Sequence, residues 1–200
     1  MNTFRYALAI LFVCIFFPLI FYWPIIHGGI RFWRRLGHRV TFSVVCGGMI
    51  MGALGLYQIR DHLLQVDFGF NPALMAAGIL CLGIAVRIRM LLHRDITNKF
   101  LVGLPEIAPD RNPQALVRTG LYAHVRHPRY MQLLLVQLGW AMLANYLAPY
   151  VVLLLWFPAI YLIVLLEERE LRERFGENYV QYCREVPRFL PRCKQNHPRL

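Results

Sequence analysis

Between Tyr122 and Trp140 the chain reads YAHVRHPRYMQLLLVQLGW, which sets two arginines, two histidines and a proline directly against a long apolar run. Charge at the edge of a hydrophobic segment is costly unless it anchors that segment or holds something. Arg126, His127, Arg129 and Tyr130 offer cations, an imidazole able to carry a proton, and an aromatic face. A second group, Glu167-Glu168, stands at the end of another apolar run. Carboxylates there add nothing to membrane orientation. They therefore either form a salt bridge that ties two helices together or help to line a ligand site.

The elements around these residues must decide how they meet. Pro128 biases His127 towards an extended backbone, so the chain turns sharply and a helix starts near Pro128. Its first N–H groups and its positive dipole end face whatever lies there. Upstream, NPQALVRTGLY opens like a helix, with Asn112 as cap and Pro113 in the first turn, and closes at Gly120. Met131 to Ala144 and Tyr150 to Leu166 are separated only by NYLAP and predict a tight helical hairpin. A hairpin makes its two inner ends neighbours, which brings Arg126, His127 and Tyr130 towards Glu167. Beyond it, Glu168/Arg172 and Glu170/Arg174 are helix-spaced pairs. Gly176 stops that helix, and Tyr179, Tyr182 and a Val186-Pro187 break follow.

Hydrophobic residues make up 58% of the chain, above the roughly 45–50% of soluble domains, and the excess lies in blocks. A crossing helix needs about 20 apolar residues. Tyr6 to Ile26 qualifies, with Tyr22 and Trp23 as an interfacial belt. Thr41 to Tyr57 follows, its Gly47, Gly48, Gly52 and Gly55 suited to close helix packing. Pro72 to about Val86 is opened by Asn71-Pro72 and continues through Arg87 and Arg89 to Leu92. With the two hairpin arms, both short, this predicts an all-α integral membrane protein of about five transmembrane helices.

Charge supports that count. With the N-terminus outside, segments 27–40, 87–130 and 167 onward lie inside and carry 4, 8 and 8 of the 22 Lys and Arg residues; only Arg5 and Arg60 lie outside. This is a positive-inside pattern, N-out and C-in. The net charge of +11 is thereby explained by topology, and nucleic acid is not expected as a partner. No Gly-rich phosphate loop is present. The five cysteines show neither CxxC nor a metal-type Cys/His spacing, so neither a disulfide framework nor a metal is expected. What remains is a cytosolic-side pocket with basic groups, tyrosines and a carboxylate at the membrane edge. That mixture suits a zwitterionic or cationic cofactor with an aromatic part.

LVRTGLYAHVRHPRY, a helical hairpin, EE, FGENY and VPRF, in that order, closely resemble the isoprenylcysteine carboxyl methyltransferase and phospholipid methyltransferase family of integral membrane enzymes. The resemblance covers about residues 100 to 191, and GLPEI at Gly103 to Ile107 looks like a further family element. It implies a division into N-terminal transmembrane helices, 1–95, and a methyltransferase core, 96–200. It also implies S-adenosylmethionine as cofactor, with S-adenosylhomocysteine as product. Carried over residue by residue, the cofactor contacts fall on Gln114, Ala115, Leu116, Val117, Tyr122, His127, Pro128, Arg129, Tyr130 and Glu167.

In this reading Glu167 offsets the methionyl ammonium, free N–H groups near His127 and Tyr130 hold its carboxylate, and Tyr122 or Tyr130 faces adenine or the sulfonium. His124 and Arg126 are the candidate catalytic residues. The acceptor is lipophilic: an isoprenylcysteine-like carboxylate, or alternatively the amine of a phospholipid. The expected partners are the bilayer and that lipophilic or lipidated substrate. The expected location is a bacterial inner membrane or the endoplasmic reticulum, with the site facing the cytoplasm.

Two positions depart from the family pattern. Gln132 stands where a glycine is usual. Ile163 stands where prenylcysteine-specific members carry the arginine that grips the substrate carboxylate. A scaffold that has lost the cofactor is the rival reading. A transporter is disfavoured, because Thr41 to Tyr57, Pro72 to Val86 and both hairpin arms carry no acidic or basic residue.

Overall fold

A computed structural model describes residues 3–95 and 116–191, and within them the chain is helical. The helices are α1 (Thr3–Gly28), α2 (Ile30–Leu36), α3 (His38–Gln58), α4 (Arg60–Leu63), α5 (Pro72–Asp95), α6 (Pro128–Ala144), α7 (Leu147–Phe175) and α8 (Glu177–Glu185), with one 3-10 turn at Gly120–Ala123.

Local chemistry sets several boundaries. Asn71 caps α5 by accepting from the N–H groups of Ala73 and Leu74 at 3.0 and 3.1 Å, and Pro72 fills the first position, where no donor is needed. Asn145 ends α6 in the left-handed region, φ 53°, and Gly176 ends α7 at φ 54°. The expected helix from Asn112 to Gly120 does not run to its end. Residues 112–115 lie outside the described residues, and 116–119 are non-helical, leading into the 3-10 turn.

Among the described residues, four helices are long and apolar enough to cross a bilayer: Thr3–Ile26, His38–Gln58, Pro72–His93 and Leu147–Phe175. The expected fifth, α6, has only 17 residues, about 25 Å against a hydrocarbon thickness of about 30 Å. It starts at Pro128, as expected, but His127 before it is not extended, with φ −126° and ψ 54°, and the tail engages both Arg126 and His127. Their N–H groups donate to the carbonyls of Pro187 and Arg188 at 2.8 and 3.0 Å. Protein, rather than further helix, thus closes that end of the bundle.

The core joins α1, α6 and α7 through Phe12, Phe16, Tyr130, Trp156, Ile160 and Ile163. The indoles of Trp140 and Trp156 donate to the carbonyls of Leu8 and Phe16 at 3.1 and 3.0 Å, so the buried Trp156 donor and the half-buried Trp140 donor are both satisfied. In the most apolar windows of α1 and α7, 41% and 39% of residues are buried, against 11% for α3 and α5. The outer helices turn Met51, Ile50, Leu80 and Ile79 outward, the surface a lipid-facing helix needs.

Close helix packing occurs, but the tightest is not at the α3 glycines. A Cβ on Gly47, Gly48 or Gly55 would meet nothing within 4 Å, and one on Gly52 would only touch Pro18 of α1, at 3.8 Å. Gly48, Gly52 and Gly55 instead line an apolar groove of about 620 Å³ between α1 and α3. The tight crossing is between α5 and α6, where a Cβ on Gly78 or Gly139 would lie 2.8 or 2.7 Å from the other's carbonyl oxygen.

At the end of the bundle away from Glu167, Arg5 is buried. It donates to the carbonyls of Ala144 and Asn145, both at 3.1 Å, and pairs with Asp67. Asn145 in turn donates to the Gly69 carbonyl at 2.9 Å. One of the two basic residues that break the charge asymmetry is therefore neutralised inside the protein.

Candidate active site

Tyr130 lies in the first turn of α6 and Glu167 lies on α7, and the antiparallel hairpin sets them face to face. The phenol donates to Glu167 Oε2 at 2.7 Å. His127, the residue that opens α6, is wedged between both carboxylates. Its Nδ1 is 3.7 Å from Glu167 Oε2 and its Nε2 is 3.3 Å from Glu168 Oε1. Its ring also stacks obliquely near Tyr130 and Phe189, with centroids 5.8 and 6.1 Å away.

The two glutamates differ sharply. Glu168 is 2% exposed and ringed by cations: Arg126 Nη1 at 3.3 Å, Arg172 Nη2 at 3.6 Å and a bidentate Arg188. Arg188 donates from Nε to Oε1 at 3.0 Å and from Nη2 to Oε2 at 2.9 Å. Its bond to Glu168 pushes the guanidinium pKa further up. A carboxylate bonded on both oxygens has little capacity left for a ligand. Glu167 keeps 28% exposure and carries one firm bond. Of the pair, Glu167 is the carboxylate able to meet something else.

The tail closes the other side. Tyr179, Tyr182 and Val186 form a small buried cluster against Leu116 and Phe175. Burial pushes the Tyr182 phenol up to about 12, and the neutral hydroxyl donates to the Tyr122 carbonyl at 2.6 Å. Burial, with the Glu168 charge adding to it, pushes the Tyr179 phenol up as well. Arg118 bonds the Asn178 carbonyl and lies over the Tyr182 ring, 5.6 Å from its centroid.

Of the residues singled out in the sequence, His127, Tyr130 and Glu167 come together directly. Pro128 is buried at the helix start, and Arg129 lies near the Tyr130 ring at 5.9 Å. Leu116 and Tyr122 join through the tail cluster, and Val117 is half-buried beside them. His124 is exposed on the turn that follows Ala123. Arg126 is turned onto Glu168. Gln114 and Ala115 lie outside the described residues.

One expectation fails. The N–H groups near His127 and Tyr130 are not free, since His127 donates to Arg188 and Tyr130 donates back to the His127 carbonyl at 3.3 Å. Sequence reasoning also passed over Arg188 and the role of Glu168. The signal was a cation three residues past the end of α8, just after Val186-Pro187, where the chain folds back.

Two buried polar atoms in this region, Arg126 Nε and Tyr179 Oη, have no hydrogen-bond partner among the described residues. Together with Glu167 they leave a carboxylate, a cationic N–H and a hydroxyl for a zwitterionic ligand, a donor set that fits an amino acid moiety.

Residues 73–178 match the family model of the phospholipid methyltransferases. The chain belongs to that family and is a membrane methyltransferase. It is 32% identical over 170 residues to a protein-S-isoprenylcysteine O-methyltransferase of Schizosaccharomyces pombe, covering 84% of this chain and 70% of that one. It is also 31% identical over 90 residues to the Delta(14)-sterol reductase LBR of Gallus gallus, covering 41% of this chain and 13% of that protein.

Proposed function

We infer that this protein moves a methyl group from S-adenosylmethionine to a lipophilic acceptor at the cytoplasmic face of its membrane. The observation that carries this reading is the split between the two carboxylates. Glu168 is saturated by arginines and holds the tail against the hairpin, while Glu167 stays partly exposed beside Tyr130 and His127.

The cofactor supplies, when bound, a methyl on a sulfonium that a nucleophile displaces. Glu167 would take the ammonium of its amino acid end, with Tyr130 fixing the carboxylate rotamer by its 2.7 Å bond. Since the His127 and Tyr130 N–H groups are spent within the fold, Arg126 Nε and Tyr179 Oη are the donors suited to the ligand carboxylate. Leu116, Val117 and Tyr122, with Gln114 and Ala115, would line the adenosine end. Such a displacement depends on alignment and exclusion of water. The tail clamped over Arg126 and His127 serves both.

The positive-inside count of Lys and Arg supports an N-out, C-in orientation with the site inside. The acceptor is an isoprenylcysteine-like carboxylate or another lipid-soluble molecule, by analogy with the Schizosaccharomyces pombe relative. Phospholipid amine methylation is the second reading, and it draws support from the wholly buried, uncharged Ile163.

Incubating the purified protein with a native lipid extract and methyl-labelled S-adenosylmethionine tests the reading. Label in one lipid class is expected. Retention of all label in the donor would overturn it.

A further inference from the structure

Gln137 lies in the middle of α6 with none of its surface exposed, and neither its amide nitrogen nor its amide oxygen has a hydrogen-bond partner among the described residues. The setting makes this unusual. The two indole N–H groups of the same core, on Trp140 and Trp156, both reach backbone carbonyls. An amide buried without partners in an apolar bundle is unfavourable and calls for a reason.

Its position suggests one. Seven residues are almost two full turns, so Gln137 shares a helix face with Tyr130 and lies about 10 Å further along the axis, away from the Glu167 end. Tyr130 bonds Glu167, so Gln137 stands on the bilayer side of the proposed cofactor site. That is the side from which a lipid-soluble acceptor arrives. The buried cluster that α6 shares with α1 and α7 is apolar, with Ile163, Ile160 and Trp156 from α7, Phe12 and Phe16 from α1, and Ala141 one turn on from Gln137. No cation stands at 163 to hold an acceptor head group.

We propose that Gln137 is a positioning residue that binds the polar end of the methyl acceptor through its amide. This rests on the reading of the protein as a lipid-directed methyltransferase. A primary amide donates to a carboxylate oxygen and accepts from an amine N–H. The acceptor class is therefore a lipid whose head group, carboxylate or amine, is bound without a formal counter-charge.

The test compares wild type with Gln137→Met, which keeps the length and removes the polar atoms, and with Gln137→Leu should the Met variant fail to fold. Three quantities are read: the thermal midpoint without ligand, the Kd for S-adenosylhomocysteine, and the lipid-extract concentration giving half-maximal methyl labelling. The expected result is an unchanged or higher midpoint, an unchanged Kd, and a half-saturating lipid concentration raised about tenfold, the loss of one or two hydrogen bonds.

Parallel assays with an S-prenylated cysteine and with phosphatidylethanolamine show which head group the amide holds. Half-saturation within twofold of wild type for every labelled lipid overturns the proposal, as does a Kd that weakens in parallel. If wild type itself neither binds S-adenosylhomocysteine nor labels lipid, the functional reading fails and this inference falls with it. If wild type does both and Gln137→Met is indistinguishable, only this inference fails.

Discussion

Glu167 and Glu168 are adjacent in sequence, yet burial and partners assign them opposite tasks. Glu168 is enclosed by Arg126, His127, Arg172 and Arg188. Removing it strands several cations in a buried site, and breaking a buried ion pair in this way costs about 3–5 kcal/mol. Glu168→Ala is therefore expected to lower the thermal midpoint of the detergent-solubilised protein strongly. Glu167→Ala, which loses chiefly the Tyr130 bond, costs about 1 kcal/mol, and equal losses would contradict the assignment.

The nearness of the basic run to the acidic pair was legible in the sequence, because a short hairpin leaves its inner ends no alternative. Which carboxylate is saturated was not. That depends on Arg188, carried back by a tail whose path no local pattern states. Free N–H groups at the start of α6 were expected for the same reason, and the tail carbonyls of Pro187 and Arg188 take the His127 one and its neighbour at Arg126.

Among the helices, the tight crossing is between α5 and α6. A Cβ on Gly139 would sit 2.7 Å from the Gly78 carbonyl and 2.9 Å from Leu82 Cγ, and the backbone oxygen cannot swing aside. Gly139→Ala should destabilise by about 1–3 kcal/mol through overpacking. Gly83→Ala on α5, where nothing lies within 4 Å, should be neutral or stabilising by up to about 1 kcal/mol from helix propensity alone. Thermal melts of the pair check both signs.

Glycine content alone had pointed to α3. A run of glycines carries no information about how closely the helix opposite approaches, and α1 faces α3 across a groove rather than in a tight crossing. Apolar blocks and Asn-Pro and Pro caps did mark α1, α3, α5 and the hairpin in the sequence. α6, at 17 residues, is shorter than the four helices of spanning length among the described residues, yet it still carries the chain from the Glu167 end to the Arg5 end.

At the scale of the whole molecule, Arg5 and Asp67 join the first helix, the loop before α5 and the turn between α6 and α7. Burial alone would raise the Asp67 carboxyl, but the Gly69 N–H and the Arg5 guanidinium outweigh it and hold it below its ordinary 3.8. A carboxyl depressed in the folded state contributes stability above its unfolded pKa and loses that contribution as pH falls through its folded one. This clamp should thus be fully present at neutral pH and weaken only in acid, below about pH 4. Arg5→Met is expected to cost about 3 kcal/mol at neutral pH and to flatten that acid dependence, read from thermal midpoints across a pH series.

Orientation is tested at the same scale. A membrane-impermeant maleimide on intact cells should label Asp61→Cys, an exposed site near the Arg5 end, and leave Glu173→Cys unlabelled. Inside-out vesicles should reverse the pattern, and labelling of both from one side would contradict N-out, C-in.

The most direct test of the central claim, that Glu167 faces a cofactor while Glu168 serves the fold, is isothermal titration of the purified protein with S-adenosylhomocysteine. Wild type should bind. Glu167→Gln, folded by its thermal midpoint, should bind at least about tenfold more weakly, the loss of one charge-assisted contact. No heat with folded wild type, or equal affinity in wild type and Glu167→Gln, would contradict the account.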